Sequence, residues 1–410
     1  MGTFGRKLTI KTDLSQMYGN FKDPASGQTL WGAYNQIVDL IGKDPFNPQT
    51  PVSAVPNIAF FDNLLPNLPG FLGVPGDTPT QAFYELASSF APDWGDALAF
   101  GIDTVAGGGA GSPWNTTVDP QQDGFVLYQR QYQSLPAWVN WGSSTYHSLQ
   151  LGLRKNSRNV TFGANYVYSK SIDNGSAPEN ADLFSQSGLF ALNGQIANPL
   201  DPRGSRSRSD FDLRHNFNAY WLTALPFGHG QHFLTNAGRA LQAAVGDWQF
   251  AGSLRARSGF PITPGNGFNF PTNFELTPPG TLLGAIHTHV TKTDKNGFPN
   301  LFGNDPDAVA ALLDFTRPGG SGTRNGLNGP GYFSADMTVT KGFRLPWNEN
   351  QKLIFSAAAY NVFNNVNFSE LFVQGLQPQP DTTFGRFNGT TNSLRGGNNR
   401  DMEFGLRFEF

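Results

Sequence analysis

The last eleven residues, RDMEFGLRFEF (400–410), carry the most regular pattern in the chain. Every second residue is apolar, and these residues are Met402, Phe404, Leu406, Phe408 and Phe410. Charged residues and a glycine occupy the positions between them. An alternation with period two predicts a β-strand with one apolar face and one polar face. Because chain ends fray unless other structure holds them, we expect this strand to be paired.

The same alternation recurs along the chain and predicts about eight strands of roughly ten residues each. The other seven segments are GRKLTIKTD (5–13), TYHSLQLGL (145–153), VTFGANYVYSKS (160–171), HNFNAYWLTAL (215–225), WQFAGSLRARSG (248–259), FSADMTVTKGF (333–343) and KLIFSAAAYNVF (352–363). The last of these is the least regular, because Ile354 and Val362 fall on its polar face. This pattern predicts an all-β, antiparallel fold.

The composition of the 410-residue chain excludes several classes of protein. Charged residues make up only 14%, whereas Phe (36), Gly (48) and Pro (29) are abundant, which argues against a helical enzyme and against a disordered tail. A net charge of −3 gives no reason to expect a nucleic-acid partner. Cysteine is absent, so disulfides, a thiolate nucleophile and a zinc–cysteine cluster are excluded. No apolar run is long enough for a transmembrane helix, and the first residues do not resemble a secretory signal.

The connections between the strands alternate between short turns and long segments. The long segments are predicted to be extracellular loops, and they cover 15–140, 172–210, 259–331 and 364–399. Outer-membrane barrels show this asymmetry, with short periplasmic turns and long extracellular loops. The first long segment has apolar residues at helical spacing, such as Leu30, Tyr34 and Ile37. Because it is dense in Pro and Gly, we interpret it as a loop with short helices; a small helical domain over about 15–124 is the alternative.

Two features favour a membrane-spanning sheet over a soluble β-sandwich. The apolar faces carry few charges, and strands of roughly ten residues cross a bilayer when tilted. Aromatic residues cluster near the strand ends, as in the girdles at membrane interfaces, and they are Tyr166, Tyr168, Trp221, Phe227, Trp248, Phe343 and Trp347. The prediction is an antiparallel transmembrane β-barrel in contact with the lipid of the bacterial outer membrane. Because unpaired backbone groups in hydrocarbon are costly, a barrel has to close, which explains a regular terminal strand.

Two resemblances extend this prediction. The terminal strand resembles the assembly signal that the barrel-assembly machinery recognises, and the signal residues would be Phe404, Leu406, Phe408 and Phe410. Eight segments resemble the Oar-like TonB-dependent outer-membrane transporters, and they are TYHSLQLGL, NYVYSKSIDN, SDFDLRHNF, LPFGHGQHF, GDWQFAGSLRARSGFPI, GPGYFSADMTVTKGFRLP, AAAYNVFNNVNF and the terminal EFGLRFEF. This resemblance spans about Gly2 to Phe410 and is thin in the loops.

The second resemblance implies a barrel of about 22 strands, filled by a plug domain through which TonB acts. The sequence shows no plug, no TonB box and too few strands, so residues 1–410 are interpreted as the C-terminal barrel portion of such a transporter. We therefore expect an open sheet with two unpaired edges. The long loops would capture an extracellular substrate that the sequence does not identify. A β-rich surface adhesin or structural envelope protein is one alternative, and a secreted soluble β-sandwich binding module is another.

One group of charged residues is predicted to lie together on the lumenal face. Arg255 and Arg257 share the polar side of one strand, and the neighbouring strands should bring Asp212 and Asp336 to either side of them. The predicted charge ladder comprises Asp210, Asp212, Arg214, Arg255, Arg257 and Asp336. An anionic ligand held by the two arginines is the alternative.

No pattern in the sequence predicts an enzyme, a metal site or a cofactor. His287 and His289 lack a third ligand at useful spacing, and the DKNG stretch from Asp294 lacks the acidic residue that completes a calcium loop. The histidines and serines form no nucleophile elbow and no HExxH motif. Asp210 and Asp212 have arginine neighbours that would keep both ionised, unlike the carboxyl pair of a glycosidase.

Overall fold

The computed structural model contains one large antiparallel sheet, with helices and short ladders in the long connections. The described residues are 1–14, 20–103, 111–127, 136–176, 196, 198, 200–229, 231–236, 238–267, 278–303, 306–345, 348–369, 373–378, 382–390 and 399–410. Trp347 of the predicted aromatic girdle lies outside them.

Within these residues, the large sheet contains eight long strands, each paired with the next one along the chain. They are β1 (Gly2–Asp13), β2 (Pro136–Asn156), β3 (Val160–Asp173), β4 (His215–Ala224), β5 (Trp248–Arg257), β6 (Tyr332–Leu345), β7 (Asn348–Tyr360) and β8 (Asp401–Glu409). The two-residue strand Ser207–Arg208 also pairs with β3. The strands β1 and β8 are the edges of the sheet, which is not closed. This agrees with the expectation of an open sheet.

The register keeps apolar side chains on one face and polar side chains on the other. One apolar row crosses five strands and consists of Leu153, Ala164, Ala219, Leu254 and Ala335. The neighbouring polar row consists of Asn165, Asn218, Arg255 and Ser334. Because directly paired residues point to the same side, a slip of one residue would exchange the two faces. The alternation in the sequence therefore fixes the register of the wall.

All the long connections lie at one end of the sheet, and the short ones lie at the other. At the short-turn end, residues 157–159 join β2 to β3, and a connection whose described residues are 225–229, 231–236 and 238–247 joins β4 to β5. The predicted loop 15–140 ends earlier than expected, because β2 begins at Pro136. Register shifts on either side of Leu8 bulge the β1–β2 ladder and hide the alternation there. The other predicted loops also differ at their ends, since β3 extends to Asp173 and β7 ends at Tyr360.

The connection between β1 and β2 folds into a helical subdomain, which we define as the described part of residues 20–127. Its helices are α1 (Leu30–Ile41), a 3-10 turn (Val52–Ala54), α2 (Ala59–Leu64), α3 (Leu68–Phe71), α4 (Pro79–Phe90) and α5 (Trp94–Ala99). Thr29 caps α1, and Thr78 forms a capping box with Gln81 at the start of α4. The subdomain has a hydrophobic core of its own, in which Phe61 stacks on Phe83 at 4.1 Å between ring centroids. This connection therefore has the helices and the buried core that the alternative, a small helical domain, predicts.

The connection between β5 and β6 packs with that between β7 and β8 around a second apolar cluster. Two short ladders shape it, and they pair Pro261–Ile262 with Leu327–Asn328 and Thr281–Leu282 with Leu313–Asp314. The short helices α6 (Arg239–Val245) and α7 (Pro306–Ala310) lie in the β4–β5 and β5–β6 connections. Phe302 stacks on Phe384, and Phe368 stacks on Phe387, so distant segments form one body above the sheet.

Candidate functional site

The polar face of the sheet and the connections at its long-loop end form the candidate site. Asn218, Tyr220 and Arg255 are exposed on this face and stand on two central strands. Amides, hydroxyls and guanidinium groups can bind polar solutes through hydrogen bonds without a catalytic step. The arrangement is therefore a polar surface whose groups can form hydrogen bonds with solutes.

The direct neighbours of the two arginines differ from the predicted ones. Arg255 lies opposite Asn218 on β4 and Ser334 on β6. Arg257 lies opposite Asn216 and Tyr332, and its guanidinium carbon is 4.2 Å from the centroid of the Phe260 ring. Amide, hydroxyl and aromatic groups, rather than carboxylates, flank the pair. An aromatic face attracts a cation through its quadrupole. Phe260 therefore provides part of the attraction for Arg257 that the predicted charge ladder expects from an aspartate.

The three aspartates of the predicted ladder accept bonds from other groups. Asp336 lies opposite Ser253, on the same face as the arginines, and accepts the backbone N–H of Asn361 at 2.9 Å. Asp212 forms a 3.0 Å ion pair with Arg208 and accepts the backbone N–H of Ser171. Both Asp210 and Asp212 precede β4, as does Arg214, whose guanidinium carbon is 5.9 Å from the Tyr168 ring centroid. The register thus brings Asp336 near the arginines. Asp210 and Asp212 lie instead in the segment before β4, at the base of the long connections.

A buried ionic cluster that no sequence pattern predicts lies at the base of the long connections. Arg324, with a side chain only 5% exposed, donates to Asp173 and Asp210 at 2.8 Å each. Asn325 donates its amide to the Arg208 carbonyl and to Asp210, both at 2.6 Å. The cluster ties the β5–β6 connection to the end of β3 and to the segment before β4. Arg324 stands in the Gly-rich stretch GTRNG, and its partners are more than a hundred residues away, so no local pattern marks it.

The helical subdomain contacts the β5–β6 connection around a small cavity. Asp39 pairs with Arg317 at 2.6 Å, and the Asn35 amide donates to the Pro318 carbonyl at 3.1 Å. The cavity has a volume of about 180 Å³, and its lining includes Lys43, Trp94 and Phe315. The buried indole N–H of Trp94 has no acceptor among the described residues. Because pockets for drug-sized ligands span roughly 300–1,000 Å³, this cavity fits only a small polar group.

Three carboxylates stabilise turns in the long connections. Burial raises the pKa of Asp23, but hydrogen bonds from Ser26, Asn63 and the backbone outweigh burial and lower this pKa to about 2. The pKa of Asp119 is lowered in the same way, against burial, by a hydrogen bond from Ser112 and several backbone N–H groups. Asp294 accepts the backbone N–H groups of Asn296 at 2.8 Å and Phe298 at 3.0 Å, so it closes a local turn.

Three of the proposed assembly-signal residues lie on the apolar face of β8, and the fourth, Phe410, directly follows the strand. The exposed fractions are 64% for Phe404, 70% for Leu406, 47% for Phe408 and 93% for Phe410. Leu149, Leu151 and Leu153 are similarly exposed on β2. Large apolar side chains in such numbers on one open face indicate a surface that lipid covers. Recognition of the terminal strand by the assembly machinery stays a prediction.

Residues 105–402, more than half of the chain, match the family described as outer membrane beta barrel domain. This chain belongs to that family. The apolar face of the sheet is accordingly the lipid-facing side of a barrel wall in the bacterial outer membrane, and the polar face is the lumenal side. No curated protein and no solved structure matches the chain.

Among the described residues, no helix has both the length and the apolar character needed to span a bilayer. Nor do these residues bring three or more His, Asp or Glu side chains close enough to hold a metal ion.

Proposed function

We propose that this chain forms part of the wall of a larger, TonB-dependent transporter barrel and that its long connections capture an extracellular substrate. The observation that carries the proposal is the open sheet, in which β1 and β8 are unpaired edges among the described residues. Each unsatisfied backbone group in hydrocarbon costs several kcal/mol. Strands outside this sheet have to cover both edges, or the edges have to pair with each other.

The lumenal face supports the larger barrel over a small closed one. A barrel of about eight strands has an interior that side chains fill. The lumenal face carries long side chains at closely spaced positions, such as Tyr220 and Arg255, and both are exposed. A wide lumen accommodates them together with a solute. The folded connections at the long-loop end then lie where an extracellular substrate arrives.

Disulfide formation tests the barrel size, because the chain has no native cysteine. Thr3→Cys on β1 is combined in turn with Glu403→Cys, Gly405→Cys and Arg407→Cys on β8, all on the lumenal face. A disulfide needs Cα atoms roughly 4.4–6.8 Å apart, so only a barrel closed by β1 and β8 links any of these pairs. Ser356→Cys with Gly405→Cys is the control, since these residues lie directly opposite each other. A disulfide in the control alone supports the larger barrel, and a disulfide between β1 and β8 overturns it.

Transport is tested separately from barrel size. If the chain serves a TonB-dependent transporter, cells that lack TonB and cells that lack this chain should share the same growth defect on the limiting nutrient. An adhesin or structural envelope protein would instead leave surface attachment and growth independent of TonB. Equal growth of the two strains and the wild type on every nutrient tested would contradict transport.

A further inference from the structure

The connection between β4 and β5, residues 225–247, has features that a simple turn does not need. It lies at the short-turn end of the sheet and contains α6. The Trp248 indole N–H donates to the Ala244 carbonyl at 2.8 Å, and the Lys341 ammonium donates to the Gly246 carbonyl. Trp248 and Lys341 are directly paired and belong to the lipid-facing row that continues to Phe355. Two side chains of the outer face therefore hold the C-terminal end of α6.

The connection exposes apolar side chains rather than burying them. Ala240, Leu241, Ala243 and Ala244 of α6 are all exposed, and Leu241 is 45% exposed. The segment before α6 packs against it, since Gln242 accepts the backbone N–H of His229 at 2.9 Å. That segment adds three more exposed apolar side chains, which are Phe227 (39%), Phe233 (58%) and Leu234 (47%). Exposure of these apolar side chains to water would be energetically unfavourable.

Lys341 shows how the sheet positions α6. Its side chain is only 2% exposed, although it stands on the lipid-facing side of β6. Its ammonium lies 5.4 Å from the Trp248 ring centroid and 5.2 Å from that of Phe343. A cation at the carbonyl end of a helix is favourable, and an ammonium group near lipid requires polar or aromatic partners. Lys341 thus joins the end of α6 to the aromatic residues at the rim of the wall.

We infer that α6, together with Phe227, Phe233 and Leu234, inserts into the headgroup region of the periplasmic leaflet as a lateral anchor of the barrel wall. The occupant of this surface is phospholipid. Three facts support it: the surface is apolar, it is continuous with the lipid-facing side through Trp248 and Lys341, and it lies at the short-turn, periplasmic end. Because α6 is short, its insertion depends on the wall that holds it. The inference rests on family membership and does not depend on transport.

Single-cysteine probes test the anchor in this 410-residue chain, which contains no cysteine. Leu241→Cys is labelled with an environment-sensitive fluorophore in vesicles of phosphatidylethanolamine and phosphatidylglycerol. Gln249→Cys is the matched control, because it follows Trp248 directly and is exposed on the lumenal face. Preparations are first selected for insertion with Leu151→Cys, whose probe must be quenched by lipid with brominated chains.

The expected result is quenching of the Leu241 probe by phospholipid brominated near the headgroup, with little quenching by aqueous iodide. The Gln249 probe should show the reverse. Equal iodide quenching at both positions, with no quenching by lipid at Leu241, would overturn the inference. It would then follow that α6 lies in water. Little quenching of the Leu241 probe by either agent would also overturn the inference, because α6 would then lie against another protein.

A second variant tests Lys341 as the positioning residue. Lys341→Met keeps a side chain of similar length but removes the ammonium group and its bond to Gly246. Lipid quenching of the Leu241 probe should fall, while quenching of the Leu151 probe should stay unchanged. If lipid quenching falls at both positions, the wall itself is disturbed by Lys341→Met. Trp248→Phe, which removes the indole N–H and its bond to Ala244, is then the deciding variant. It should reduce lipid quenching of the Leu241 probe and leave that of the Leu151 probe unchanged. Unchanged quenching at Leu241 in both variants would overturn the role of the two side chains.

Discussion

The helical subdomain and the wall place the same residue types in opposite positions. In the subdomain, Leu30, Ile37 and Ile41 have no exposed surface. On the wall, Leu149, Leu151 and Leu153 are 55%, 56% and 64% exposed. The same apolar residue types occur in both regions, so composition does not distinguish them. The periodicity does, because a helical spacing gathers apolar groups in an interior and a spacing of two presents them to lipid. Each region is folded for a different solvent.

The terminal strand should show the largest effect, because its proposed role concerns assembly of the whole wall. Phe410→Ser should strongly reduce the amount of protein in the outer membrane, since it weakens the proposed assembly signal. Phe211→Ser removes an equally aromatic, 58% exposed side chain from a loop and is the control. Quantitative blotting of membrane fractions measures both variants. Normal levels of Phe410→Ser would contradict the signal.

A second variant should affect only the subdomain. Phe61→Ala leaves a cavity beside Phe83 in a fully buried site, and such truncations cost roughly 3–5 kcal/mol. Hydrogen exchange should report this loss in the amides of α2 and α4. Leu151→Ala, on the lipid-facing side, should leave the same amides unchanged. Comparable losses in the two variants would mean that both regions unfold together.

The buried ionic cluster should respond far more strongly than an exposed ion pair. Arg324→Met leaves Asp173 buried without its cation, which costs roughly 3–5 kcal/mol. Arg317→Met breaks the exposed pair with Asp39 and should cost at most about 1 kcal/mol. The change in the free energy of unfolding of the packed β5–β6 and β7–β8 connections measures this contrast. A double variant that adds Asp173→Asn should recover part of the loss.

Adjacent residues of β2 should distinguish lipid from lumen. Leu151→Arg places a charge in hydrocarbon and should destabilise the wall by roughly 2–4 kcal/mol near the midplane. Gln150→Arg places the same side chain on the lumenal face and should have little effect, because water surrounds it there. Urea unfolding in vesicles compares the two variants. Equal destabilisation would mean that both faces are covered by protein.

The smallest effect concerns pH and the subdomain alone. Because the folded pKa of Asp23 is lowered to about 2, its charged form stabilises the fold. This contribution is present above the ordinary pKa of an aspartate, near 3.8, and is lost as the pH falls from there through about 2. The melting temperature of the subdomain should fall across this window, and Asp23→Asn should fall less steeply. An identical slope in both proteins would exclude Asp23 as the cause.

The sequence predicts the strands well because the alternation of β2 to β8 is local information. It predicts the helical subdomain less well, since Pro and Gly between the helices resemble a loop until Tyr34, Phe61 and Phe83 meet in a core. The charge ladder required the exact offset between strands, and the neighbours of Arg255 proved to be Asn218 and Ser334. No periodic pattern identifies Arg324, because its contacts come from distant segments.

The order of the strands also determines where the chain can gain or lose sequence without disturbing the wall. Each long strand pairs with the one before it, so the wall is a succession of hairpins. The entropy of closing a connection grows only logarithmically with its length, by about 0.6 kcal/mol for each doubling. A connection can therefore gain or lose a folded domain at little thermodynamic cost to the hairpin beneath it. The long connections of this protein are therefore free to diversify while the wall keeps its register.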